Sequence, residues 1–301
     1  MSLLARLWEY QKERFPVWFT LPMSFGISLS AVAFSRVSSG RSGFIGWAPF
    51  LVGFFTSAVL FFMLRVLDEH KDHDIDMQYR KELPVPRGLI TLAELRWVGG
   101  GLSVLAVLLN LLVMPAMLPL LLVPAVYAAL MGAEFFAPEW LRRHPMVYLH
   151  SHMLFLPAMD FYSTGLDWRL DGRLPGWSLG VFLSVTFLNG LVVEFGRKLR
   201  APGQEKEGVD TYSKLWGPAK AARIWLLCVV IAAGLALWAG TYTQAGPLRI
   251  AVLLAVGAVV AYRIRPFFAR MDPASAKQVE TASGIWVLFA YAWLGLAPFI
   301  L

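Results

Sequence analysis

The chain is 301 residues long, 57% hydrophobic and only 16% charged, with a formal net charge of +7 and a single cysteine. Soluble domains carry about 25% charged residues, and no polar segment here is long enough to build a core of its own, so a soluble class is excluded. The positive balance has no soluble basic face to occupy, which excludes nucleic acid as a partner, and the lone Cys228 excludes an intrachain disulfide.

In residues 1–14, Leu3, Leu4, Leu7 and Trp8 share one helical face, while Arg6, Glu9, Glu13 and Arg14 fall largely elsewhere. This pattern predicts a helix lying in the membrane interface. Its charges stand where a signal peptide would carry an apolar stretch. Nine apolar segments follow, near 15–36, 43–67, 92–113, 115–136, 146–165, 177–196, 221–239, 248–262 and 282–301. Such lengths suit helices that cross the hydrocarbon core. The expectation is an all-α, polytopic membrane protein forming a single domain over 1–301. Pro115 turns the third and fourth spans into a hairpin, and the eighth is short. With the N-terminus in the cytoplasm, 22 of the 27 Lys and Arg residues lie on the inner side; Arg36, Arg41, Arg169, Arg173 and Arg249 lie outside. That bias predicts a cytoplasmic N-terminus and an outer C-terminus, in a bilayer expected to be a bacterial inner membrane. It also draws the inner loops to anionic headgroups.

Where the second span meets the cytoplasm, Asp68 to Asp76 pack five acids, two histidines and a lysine into nine residues. Asp68, Asp72 and Asp76 are spaced i, i+4, i+8, so a continued helix sets them along one face. Like charges at that spacing repel, and a divalent cation offsets them. Mg²⁺ prefers carboxylate oxygens and completes its shell with water and phosphate. Lys71, Arg80, Lys81 and Arg87 add cations for a phosphate. A solvated helix with scattered charges is the plain structural alternative. An EF-hand loop fails because Met77 and Leu83 stand where glycine and glutamate are required. His70 and His73 lack partners for a soft-metal site and are read as rim residues.

The following Leu83-Pro84-Val85-Pro86-Arg87-Gly88 forbids helix and turns the chain before the third span. With this turn, the stretch resembles the first motif of the UbiA superfamily of intramembrane prenyltransferases, Asn-Asp-x-x-Asp-x-x-x-Asp. Asp72 and Asp76 match it, Asp68 stands in the Asn slot and Glu69 in the first Asp slot. Arg65 matches an arginine that often precedes the motif. The span count and loop positions agree over the whole chain. The resemblance implies nine helices around a cytoplasm-facing central cavity, Mg²⁺ as cofactor and a polyprenyl diphosphate as substrate.

The family's second motif, Asp-x-x-x-Asp, departs here to Glu194-Phe195-Gly196-Arg197-Lys198. Glu194 stands for the first acid, and Lys198 reverses the charge of the second. The segment Gly208 to Gly217 resembles the family's closing segment. Either Glu205, Glu207 or Asp210 replaces the missing ligand, or Lys198 meets the diphosphate as a fixed point charge; the lysine is favoured. Anchoring on the inner side is the plain structural alternative for Arg197 and Lys198. The resemblance further assigns Arg142 and Arg143 to the diphosphate, and Tyr212 as a hydrogen-bond partner for it.

In the fifth span, His150, His152 and Asp160 interrupt apolar sequence, and ionisable groups at membrane depth face cavities or partners. His150, about one turn in, is the candidate to orient or deprotonate the acceptor. Asp160 reads as structural, and Glu134 as part of a cavity wall. The expected reaction is Mg²⁺-dependent transfer of a prenyl group to an acceptor whose identity the sequence leaves open. Asp68, Asp72, Asp76 and Glu194 are the ligands, and Arg65, Lys71, Arg142, Arg143, Lys198 and Tyr212 the diphosphate contacts. The rivals are a membrane terpene cyclase that needs no acceptor and a cation-binding transporter.

Overall fold

The structure is a computed structural model that describes residues 1–205, 207 and 209–300. Lys206, Gly208 and Leu301 lie outside the described residues, so the start of the closing segment and the last residue of the ninth span are not placed. The described chain is all helical: α1 (Leu3–Arg14), α2 (Val17–Ser38), α3 (Trp47–Lys71), α4 (His73–Tyr79), α5 (Leu92–Val113), α6 (Leu118–Gly132), α7 (Pro138–Arg143), α8 (Pro145–Met153), α9 (Phe155–Trp168), α10 (Trp177–Arg197), α11 (Tyr212–Trp216), α12 (Pro218–Tyr242), α13 (Pro247–Tyr262), α14 (Arg265–Arg270) and α15 (Pro273–Gly295).

Among the described residues, seven helices are long and apolar enough to cross a membrane: Val17–Ser38, Trp47–Lys71, Leu92–Val113, Pro115–Gly132, Trp177–Arg197, Pro218–Tyr242 and Pro247–Arg270. The fifth expected span is helical but broken at Leu154 into α8 and α9. Pro157 explains the break: it has no N–H for the Met153 carbonyl, and its ring crowds that carbonyl. The ninth begins at Pro273 rather than 282. Asp272 caps it in a box with Ser275, and Pro273 opens its first turn. Its polar first half, with Lys277, Gln278 and Glu280, dilutes the apolar stretch.

The chain divides into two units, Met1–Ser28 with Phe44–Arg173, and Leu29–Gly43 with Leu174–Leu301. In the first, α3 packs on α5, α6 and α9. Buried polar side chains join these helices: Asn110 donates to the Thr56 hydroxyl at 2.8 Å, and Tyr162 donates to the Asn110 carbonyl oxygen at 2.8 Å. Hydrogen bonds of this kind hold membrane helices together where lipid removes the hydrophobic drive. The outer faces stay apolar, as Trp97, Val104, Leu108 and Leu112 on α5 show.

In the second unit, α10 packs on α12 and α15. Buried tryptophans donate inward, Trp225 to Ser283 at 2.8 Å and Trp286 to Asn189 at 3.1 Å. Two glycines permit close approach. A Cβ on Gly196 would lie 2.0 Å from the Ser283 hydroxyl oxygen, and one on Gly295 would lie 2.2 Å from the Ser30 carbonyl oxygen.

Candidate functional site

In the first unit, the helical hydrogen-bond register runs through the acidic stretch. Asp72 N–H donates to the Asp68 carbonyl at 2.9 Å and Asp76 N–H to the Asp72 carbonyl at 2.8 Å, although Asp72 itself bends between α3 and α4. The three carboxylates therefore lie along one continuing surface that drifts with each turn. The Asp68 side chain is 39% exposed, Asp72 half-buried and Asp76 only 2% exposed.

The cations around this row are held in place. Lys71 donates to the Tyr148 hydroxyl at 2.7 Å, lies 5.3 Å over the Tyr148 ring and stands 3.7 Å from Asp68. Arg65 Nη2 is 3.5 Å from Asp68, and Arg80 binds Asp76 at 3.1 Å. Asp72 has no ion pair among the described residues. Burial raises its carboxyl above the usual carboxylate range; the Lys71 charge opposes this, and Asp68 and Asp76 add to it. Burial likewise raises Asp76, against the Arg80 charge.

Glu69 takes a different direction from its neighbours. It is 1% exposed and accepts from Arg14 Nε at 2.6 Å and from the Tyr10 hydroxyl at 3.4 Å. Arg65 Nε lies 3.4 Å away, an electrostatic contact without hydrogen-bond alignment. Burial and the Glu69 charge push the Tyr10 hydroxyl well up, so it remains a donor. Of the other expected cations, Arg87 pairs with Glu13 at 2.6 Å rather than with the acidic row, and Lys81 is exposed. The Pro/Gly turn packs Val85 beside Ile90 in a core with Tyr10, Val66 and Leu95. Gly88 closes that turn at φ +77°, a conformation glycine adopts without strain.

Among the described residues, no three His, Cys, Asp or Glu side chains converge to hold a metal ion. The donors are nonetheless all oxygen, and Mg²⁺ is commonly bound by one or two carboxylates, with water and substrate phosphate supplying the rest. Asp72, unpaired between two further acids, fits that ion.

The second-motif residues lie in the other unit. Glu194 is buried near the end of α10, where Arg197 binds it at 2.6 Å and Lys198 at 2.9 Å. Lys198 also lies 5.6 Å over the Tyr212 ring, which stacks on Trp216 and packs on Phe195. Thr211 caps α11 and donates to Glu205, while Glu207 and Asp210 are exposed. This end presents one acid and two cations, all on its own helix terminus.

Arg142 and Arg143 are exposed on α7, with Arg143 3.8 Å from Glu139. His150 Nδ1 hydrogen-bonds the Met146 carbonyl at 2.7 Å. His152 stacks on Tyr148, and Asp160 is fully buried on α9. Sequence reasoning missed Tyr148, the anchor of Lys71, and Tyr10 and Arg14, the partners of Glu69. For the last two there was a signal: they lie four residues apart on the polar side of the interfacial helix. An apolar cleft of about 440 Å³ opens between α13 and α15, lined by Val256, Val259, Ala282 and Ile285 with Arg263 and Lys277. It contains none of the expected site residues.

The sequence pattern of the UbiA prenyltransferase family matches residues 26–297. No curated protein sequence matches the chain. Among solved structures, a digeranylgeranylglyceryl phosphate synthase is similar at 17% identity and a TM-score of 0.65, over 97% of this chain and 98% of that one. A UbiA homologue from Archaeoglobus fulgidus bound to GPP and Mg²⁺ is similar at 11% identity and a TM-score of 0.58, over 92% of this chain and 97% of that one. A UbiA homologue from Archaeoglobus fulgidus bound to DMAPP and Mg²⁺ gives 12% identity and a TM-score of 0.58, over 93% of this chain and 99% of that one.

Proposed function

The chain belongs to the UbiA prenyltransferase family, and from that premise we propose that it transfers a prenyl group from a polyprenyl diphosphate to an acceptor within the membrane. The observation that carries this reading is Asp72: a half-buried carboxylate without an ion pair among the described residues, flanked by Asp68 and Asp76 and by the anchored cation Lys71. The Archaeoglobus homologue bound to GPP and DMAPP with Mg²⁺ supports the substrate class and the ion. Asp68, Asp72 and Asp76 are the proposed ligands, whereas Glu194 is engaged by Arg197 and Lys198 on its own helix end.

Mg²⁺, when bound, supplies positive charge that stabilises the departing diphosphate. Lys71 presents an ammonium whose position the Tyr148 hydroxyl and ring fix, so no side-chain ordering is left for the reaction step. Arg65 offers a guanidinium beside Asp68. Arg142 and Arg143 are exposed and reach phosphate oxygens only after leaving solvent. Lys198, over the Tyr212 ring at the second-motif helix end, is itself suited to a phosphate oxygen. As the C–O bond of the prenyl diphosphate breaks, its electron pair leaves with the diphosphate and the allylic carbon becomes cationic. The acceptor donates a pair to that carbon and loses a proton. His150, held by its Nδ1–H on the Met146 carbonyl, is the group proposed to orient the acceptor.

The proposal includes nine membrane crossings, an N-terminus in the cytoplasm, a C-terminus outside, location in a bacterial inner membrane, and both units working as one domain. The Lys198–Glu194 pair, which ties up the lone second-motif acid, supports a second reading as a membrane terpene cyclase. One experiment separates these readings: purified protein with Mg²⁺ and prenyl diphosphates of several lengths, with and without a membrane-lipid extract. Diphosphate release that requires the extract supports transfer. Release without it, with a cyclic product, supports the cyclase. No release in either arm ends both.

A further inference from the structure

The polar face of α1 reaches three segments around the first motif: the end of α3, the Pro/Gly turn and the start of α5. Arg6, Tyr10, Glu13 and Arg14 are spaced i, i+4, i+7, i+8, which places them on one side of a helix. Arg6 grips Glu94 in the first turn of α5, with Nη1 at 2.9 Å, and Glu94 also closes the Thr91 capping box there. Glu13 holds Arg87 of the Pro/Gly turn at 2.6 and 2.9 Å. Arg14 and Tyr10 hold Glu69 near the end of α3 at 2.6 and 3.4 Å. Between these pairs, Leu7 and Tyr10 pack against Val66, Val85, Ile90 and Leu95, which come from the same three segments.

We infer that α1 is a strap that sets the geometry of the carboxylate row, and that Glu69 is its anchor, a positioning residue and not an ion ligand. The inference rests on the prenyl-transfer reading for the identity of the row. Glu69 occupies a motif slot in which an acid is expected to ligate, yet its carboxylate is buried and engaged from α1. A buried carboxylate held this way is costly to strip of its partners. Arg65 shows how the strap acts on the site. Its Nε lies 3.4 Å from Glu69 and its Nη2 3.5 Å from Asp68, so one guanidinium is shared between anchor and row. Without the Glu69 charge, more of the Arg65 charge falls to Asp68, and that carboxylate then competes less well for a cation.

The test pairs Glu69→Gln and Arg14→Gln with Asp72→Asn, in full-length protein in lipid nanodiscs. Two quantities are read: amide hydrogen exchange across residues 3–14, and the Mg²⁺ concentration giving half-maximal diphosphate release. Glu69→Gln and Arg14→Gln are each expected to speed α1 exchange roughly tenfold or more and to raise the Mg²⁺ requirement. In the double variant their effects do not add, because they break one interaction. The charge-swapped pair Glu69→Arg with Arg14→Glu restores part of the α1 protection. Asp72→Asn abolishes release and leaves α1 exchange unchanged. Should Glu69→Gln abolish release with α1 as protected as in the parent, Glu69 is a ligand and the strap is wrong. If Glu69→Gln does not fold, Arg14→Gln alone decides: unchanged exchange and an unchanged Mg²⁺ requirement overturn the inference. If the parent releases no diphosphate, the function reading falls while the exchange measurement still judges the strap.

Discussion

Two helix ends carry the candidate chemistry, and they solve the problem of buried carboxylates in opposite ways. At the end of α3, acids outnumber their own cations. The shortfall is met from other elements: Arg14 and Tyr10 from α1 hold Glu69, and Tyr148 from α8 steadies Lys71. Asp72 is left half-buried without an ion pair among the described residues. At the end of α10 there is one acid, Glu194, and two cations satisfy it from the next turn of the same chain, Arg197 at i+3 and Lys198 at i+4. The first end has negative charge to spare and suits a cation. The second sets two cations against its acid and suits an anion such as a phosphate oxygen. A helix end that balances itself locally needs no help from the fold, whereas one with an unmatched acid must be held by its neighbours.

The largest test of this contrast is Asp72→Ala. It should lower diphosphate release by roughly 10²–10³-fold or more, the range for one group stabilising transition-state charge, with no loss of thermal stability in Mg²⁺-free protein. Retained activity would break the comparison at its negative end. Next is Lys198→Met, expected to raise KM for the prenyl diphosphate about tenfold, a typical loss for one charge-assisted contact, while leaving the Mg²⁺ requirement alone. A change in Mg²⁺ requirement instead would move the second end to the metal side.

Acidification sharpens the contrast further. Burial raises Asp72 and Asp76, so their protons compete with Mg²⁺ above the usual carboxylate range. Mg²⁺ affinity, measured by calorimetry between pH 7.5 and 5, should fall as pH falls. The sign for stability without Mg²⁺ is the reverse. A carboxyl whose folded pKa lies above its unfolded value binds its proton more tightly when folded, so protonating these two favours the fold. Melts of Mg²⁺-free protein should therefore show their contribution rising on mild acidification. The smallest expected effect is that of Tyr148→Phe, which removes one hydrogen bond from Lys71 but keeps the ring beneath it. Release should drop roughly two- to tenfold, a loss that Lys71→Met exceeds.

The acidic row was legible in sequence because its geometry is local. Spacing of i, i+4, i+8 describes one helix, and the backbone register does continue through Asp72. Sequence reasoning sends Lys198 to the diphosphate, although its pairing with Glu194 follows the same i, i+4 spacing. The diversion of Glu69 was not readable from its motif, because it depends on a helix more than fifty residues earlier folding back. The same is true of Tyr148 beneath Lys71. The interruption of the fifth span had a local signal in Pro157, but an apolar run reads alike whether or not one carbonyl loses its donor. Among the described residues, seven of the nine expected spans have the length and apolarity to cross a membrane, and α15 falls short because its capped start draws polar residues into the helix.

Gly295 sets a constraint of another kind. With the Ser30 carbonyl 2.2 Å from where a methyl carbon would stand, even alanine must wedge the two segments apart or unwind the final turn. In a saturation library sorted only for the amount of protein reaching the bilayer, with no assay of turnover, position 295 should therefore tolerate no replacement, while Asp72 accepts many. Such a sort would separate what this chain needs in order to assemble from what it needs in order to react.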